Sequence, residues 1–96
     1  MKDLQKIKTI LQQKKEEIRK KYGVIVLGIF GSLARGEQTQ TSDVDILVEI
    51  EKPIGLGFFE LWDNLEKLLG CEVDIVRVKL LRKEIKEEVL KEMVRI

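Results

Sequence analysis

Gly31-Ser32-Leu33-Ala34-Arg35-Gly36-Glu37-Gln38-Thr39-Gln40-Thr41-Ser42-Asp43-Val44-Asp45 decides how this chain is read. It follows Val24 to Phe30, an almost uninterrupted apolar run rich in β-branched residues, which predicts a buried, central strand ending at Gly31. Residues 32–36 suit a short helical turn, and 37–42 are polar loop. From Asp43 to Ile50 the pattern alternates. Val44, Ile46, Val48 and Ile50 point one way, and Asp43, Asp45, Leu47 and Glu49 the other, as in a strand with one face on a core. The link between the two strands is about a dozen residues, too long for a tight hairpin, and loops of that length usually carry function.

The rest of the chain supplies layers for these strands. Leu4, Ile7, Leu11, Ile18 and Tyr22 share a helical face over residues 3–22, with Asp3 placed to cap the start and Gly23 to end it. Phe58, Leu61, Trp62, Leu65, Leu68 and Leu69 form a second stripe closed by Gly70, at packing spacing rather than as a base-stacking platform. Glu72 to Val78 reads as a third strand. Leu81, Ile85, Val89 and Met93 recur every four residues in a closing helix, and Val94–Ile96 suits a short edge strand. The predicted class is α/β (α+β), a small mixed sheet with helices packed on one face, in a single domain over residues 1–96.

Composition narrows the function. Eighteen basic and 17 acidic residues nearly cancel, so the electrostatic footprint of a nucleic-acid binder is missing. The chain has no histidine, which excludes His-based acid–base chemistry, and its single cysteine, Cys71, permits no internal disulfide. No apolar run approaches the 18 or so residues of a membrane span and no signal-peptide pattern opens the chain, so a cytoplasmic location is expected.

The chemistry sits in the opening stretch. On a strand, Asp43 and Asp45 point to the same face, with β-carbons roughly 7 Å apart. Magnesium takes such carboxylate oxygens together with substrate phosphates, and a pair of ions can clamp both oxygens of an in-line phosphoryl displacement. Upstream, Gly31 lets a ligand approach the backbone. The turn it opens offers free N–H groups, and the Ser32 hydroxyl can donate to a phosphate oxygen. Arg35 can either contact phosphate or hold the aspartates by a salt bridge, while Ser42 can cap the strand or orient Asp43. Asp74 in the third strand can supply a third carboxylate, with Glu72 on the same face as a competitor.

Gly31-Ser32, Ala34-Arg35-Gly36, Ser42-Asp43-Val44-Asp45 and Asp74 together resemble the nucleotidyltransferase superfamily of DNA polymerase beta, and within it the minimal nucleotidyltransferases, the MNT family. The resemblance implies that Gly31 and Ser32 bind the triphosphate of ATP. It implies that Asp43, Asp45 and Asp74 hold two magnesium ions, with Asp74 nearest the attacking hydroxyl. It further implies a partnership with a HEPN-domain protein, a small helical ribonuclease toxin, which the MNT protein would neutralise as antitoxin by moving AMP onto a tyrosine. The small size and balanced charge leave little surface for another acceptor. The alternative is a non-catalytic module that neutralises its partner by occlusion and keeps a vestigial nucleotide site. Self-association through the first helix or the last strand stays open.

Overall fold

The computed structural model describes residues 3–37 and 43–96. Helix α1 (Leu4–Tyr22) leads into β1 (Val24–Phe30), the short helix α2 (Ser32–Arg35) and β2 (Val44–Ile50). Then come α3 (Gly57–Leu69), β3 (Val73–Arg77), a 3-10 turn (Val78–Leu80), α4 (Lys83–Glu92) and the two-residue β4 (Val94–Arg95).

The helix ends follow local chemistry. The Asp3 carboxylate accepts the amides of Gln5 and Lys6 at 2.9 and 3.3 Å, two of the donors a helix start leaves without internal partners. Gly23 closes α1 in the left-handed conformation at φ 70°, with its amide on the Arg19 carbonyl. Arg19 then grips Glu51 with two donors, at 2.7 and 2.9 Å, fastening the end of α1 to the segment that leaves β2.

The sheet runs β3-β2-β1-β4. β1 is antiparallel to β2 and β4, whereas β2 and β3 are parallel, as a helical crossover through α3 permits. The β1–β2 register shifts between Val26 and Gly28. This shift explains why Val24 and Val26 share one core with Ile29 rather than with residue 28.

That main core lies under α1 and α3. Ile7, Leu11 and Ile18 from α1 and Leu61 and Leu65 from α3 cover Val44, Ile46, Val48, Val73 and Ile75. The mixed α/β class and the helices on this face agree with the sequence reading. The opposite face is not bare, however. Leu47, fully buried although its strand neighbours Asp45 and Glu49 are only half-buried, packs with Val78 of the 3-10 turn and Val89 of α4. Leu27, Phe30, Val76, Leu81, Leu90 and Met93 border them. Two members of the expected helical stripes are corrected: Ile85 is 50% exposed and Leu68 39%, because each helix touches the body through a narrower line of side chains than its spacing allows.

The second cluster is small, so each member counts. Leu47→Ala is expected to cost about 2–3 kcal/mol and to lower Tm by roughly 10 °C or more in a chain of this size. A thermal melt beside Ile85→Ala, at an exposed site, checks it: equal, small losses in the two would mean that the C-terminal segment packs without Leu47.

Candidate active site

The ends of β1, β2 and β3 bring the candidate residues together. Phe30, the last residue of β1, pairs with Asp45, and Asp45 pairs in parallel register with Asp74. The carboxylates of neighbouring strands therefore stand at one level of the sheet. Asp43 precedes β2 immediately and is exposed, as is Asp74, while Asp45 is half-buried. Glu72, the competitor of Asp74, lies just before β3, where its carbonyl accepts the Val44 amide at 3.0 Å.

The electrostatics mark Asp45 as the centre. Its carboxyl is pushed above the usual carboxylate range, first by burial and then by the charges of Asp74 and Asp43, with Arg35 pulling weakly the other way. Two neighbouring carboxylates thus act on Asp45, and Arg35 offsets them in part.

Gly31 turns out to be bound up with this carboxylate. Its backbone, at φ 77° and ψ −154°, lies in a region that essentially only glycine enters. A Cβ placed there would fall inside the radius of Asp45 Oδ2 and 3.0 Å from its Cγ. Glycine therefore makes room for the Asp45 carboxylate, in addition to the access for a ligand that the sequence suggested. From Gly31 the chain enters α2, with the Arg35 amide on the Gly31 carbonyl at 3.1 Å. Gly36 then reverses it so that Glu37 N–H reaches the Ser32 carbonyl at 2.8 Å. The turn is closed by its own backbone.

Arg35 is held by acids of the protein. Its Nε donates to Glu37 Oε2 and its NH1 to Glu92 Oε1, both at 3.1 Å. Glu37 was not singled out from the sequence, and Glu92 entered it only as part of the charged closing helix, not as a partner of Arg35. Glu37 is a near neighbour that charge spacing could have suggested, whereas nothing local points to Glu92 at the other end of the chain. Ser42, expected to cap the strand or orient Asp43, lies outside the described residues.

The donor set suits a hard divalent cation. Among the described residues, no group of three acidic or thiol side chains is gathered closely enough to enclose a metal unaided. An open set of carboxylates is what magnesium uses when substrate phosphates complete its shell, and the mutual repulsion at Asp45 is what such a cation would relieve. A groove between α1 and α3, lined by Lys14, Tyr22, Leu61, Asn64 and Lys67 among others, includes none of these residues.

The mixed sheet thus sets carboxylates at its strand ends beside a glycine-opened turn. Residues 6–96 match the nucleotidyltransferase domain family, and the chain belongs to it. It is 47% identical over 92 residues to protein adenylyltransferase MntA of Thermococcus cleftensis, with 95% of this chain and 93% of that one covered. A Methanocaldococcus jannaschii chain assigned as a protein adenylyltransferase is 52% identical over 77 residues, spanning 79% of this chain and 90% of its own. A solved chain assigned as a minimal nucleotidyltransferase superposes with a TM-score of 0.80 at 34% identity, covering 98% of this chain and 96% of that one. A toxin–antitoxin crystal structure with AMP-PNP shares the fold at a TM-score of 0.65 and 23% identity, with 97% and 71% covered.

Proposed function

We propose that this chain is a magnesium-dependent protein adenylyltransferase. It moves AMP from ATP to a tyrosine hydroxyl of a HEPN-domain toxin and so acts as its antitoxin in the cytoplasm. The observation that carries the reading is the parallel register of Asp45 with Asp74, at the sheet end where Gly31 opens the turn. The 47% identity to protein adenylyltransferase MntA supports a protein acceptor.

In this reading Asp43, Asp45 and Asp74 hold two magnesium ions. When bound, these would offset charge on the triphosphate and on the attacking and leaving oxygens. Gly31 and Ser32 receive the triphosphate: the first amides of a helical turn lack internal partners, and the Ser32 hydroxyl adds a side-chain donor. The acceptor oxygen attacks the α-phosphorus, the bond from that phosphorus to the α,β-bridging oxygen breaks, and pyrophosphate departs. Asp74, the exposed carboxylate of the paired strand, takes the hydroxyl proton. Arg35, anchored by Glu37 and Glu92, offers positive charge at the end of the turn.

The test is label transfer to the HEPN partner with magnesium, using ATP labelled on the α-phosphate in one reaction and on the γ-phosphate in another. Label from the α position alone, lost in Asp43→Ala, is the expected result. A partner that stays unlabelled yet remains neutralised by both wild type and Asp43→Ala would replace transfer by occlusion.

A further inference from the structure

We propose that Glu92 is a positioning residue for the nucleotide cradle: by holding Arg35 from across the fold, it presets the one cation of the Gly31–Asp45 segment for the triphosphate. The inference rests on the reading of Gly31 to Arg35 as an ATP cradle and adds a residue far outside it.

Arg35 ends the turn that Gly31 opens, and its side chain is 43% exposed. A long cation at such a site loses rotamer freedom when it binds phosphate, and that loss weakens binding unless the side chain is already ordered. Glu37 alone cannot order it relative to the sheet, because Glu37 lies two residues away and rides on the same turn. Glu92 can. It lies 57 positions along the chain and is the last residue of α4.

The chain that follows Glu92 is fixed to β1, the strand that leads into Gly31. Val94 pairs with Ile29, and the Ile96 amide reaches the Leu27 carbonyl at 3.1 Å. Met93 and Val94 press so closely on β1 that a Cβ at Gly28 would meet the Met93 side chain and lie 2.6 Å from the Val94 carbonyl oxygen. The Arg35–Glu92 pair thus closes a ring running from β1 through Gly31 and α2 to Arg35, across to Glu92, and back through β4 to β1. A guanidinium suits this task, since its planar fork can keep one acid while another of its donors meets phosphate.

Equilibrium binding of a non-hydrolysable ATP analogue with magnesium to the full chain tests the proposal without any transfer step. Glu92→Gln, which keeps the size and removes the charge, is expected to weaken binding about three- to tenfold. In transfer assays it should raise KM for ATP with kcat changed by less than about twofold. Arg35→Ala should weaken binding at least as much, and adding Glu92→Gln to it should cost nothing further, since the two act as a unit. Arg35→Lys, which keeps the charge but loses the fork, approaches the pair from its other end and should weaken binding as Glu92→Gln does. Melting curves report whether each variant is folded. Unchanged affinity in a folded Glu92→Gln, or an equal loss in the Arg35→Ala background, would overturn the role of Glu92 and leave the cradle standing. A wild-type chain with no affinity for the analogue would overturn the cradle and this inference with it.

Discussion

Asp45→Asn is expected to lower AMP transfer by about 10³-fold or more while raising the melting temperature. In the proposed reading, the activity loss follows from replacing a charged metal ligand by a neutral amide, where several kcal/mol of charge stabilisation would depend on it. The stability gain follows from the raised proton affinity of Asp45, which burial and the charges of Asp74 and Asp43 cause. A carboxyl whose folded pKa lies above its unfolded value costs stability when ionised. That cost is full above the folded pKa and vanishes as pH falls through it toward the unfolded value. The asparagine variant should therefore gain most near neutral pH, and the gain should shrink in the acid range where wild-type Asp45 protonates. Solvent screening at this half-buried group keeps the gain to about 2–5 °C. Label transfer and melts at several pH values check both halves. An Asn variant that loses transfer and also melts lower would make Asp45 a structural acid rather than a metal ligand.

Gly31→Ala is expected to damage both fold and site. The φ of 77° with ψ −154° costs a residue with a Cβ about 1–3 kcal/mol before any contact is counted. The new methyl also lands on the Asp45 carboxylate, so the backbone or the acid must move. The total loss should exceed about 3 kcal/mol, a fall in Tm of roughly 12 °C or more. Any folded fraction should retain little transfer activity, because Asp45 will have been displaced. Calorimetry and the α-label assay measure the two effects. A variant with native stability would mean that the turn relaxes freely and that Gly31 is not tied to Asp45. Asp45→Asn in the Gly31→Ala background should recover little, since the amide is as bulky as the acid it replaces.

Much of this was legible along the chain. The limits of α1, β1, α3 and β3 follow from caps, stripes and glycine stops that act within a few residues, and the structure places each within one residue of its expected start and end. That Asp43 and Asp45 share one strand face was readable because i, i+2 spacing on a strand is a local property. The phase change in β1 was not readable: in Val24 to Phe30 every residue but Gly28 is apolar, so sliding the register by one leaves the pattern unaltered. The burial of Leu47 was hidden for a related reason. It alternates with Asp45 and Glu49 and reads as the outer face until the 3-10 turn and α4 arrive to cover it.

The sequence by itself determined the elements and where their carboxylates fall along them, because hydrophobic period, capping and carboxylate spacing act over a few residues. Only the tertiary structure decided which groups meet. Strand pairing set Asp74 level with Asp45, the backbone of Gly31 made room for that carboxylate, and the return of the chain through α4 and β4 brought Glu92 to Arg35. Those contacts join residues about 14 to 57 positions apart. No local preference specifies such a contact; the packing of the whole sheet does.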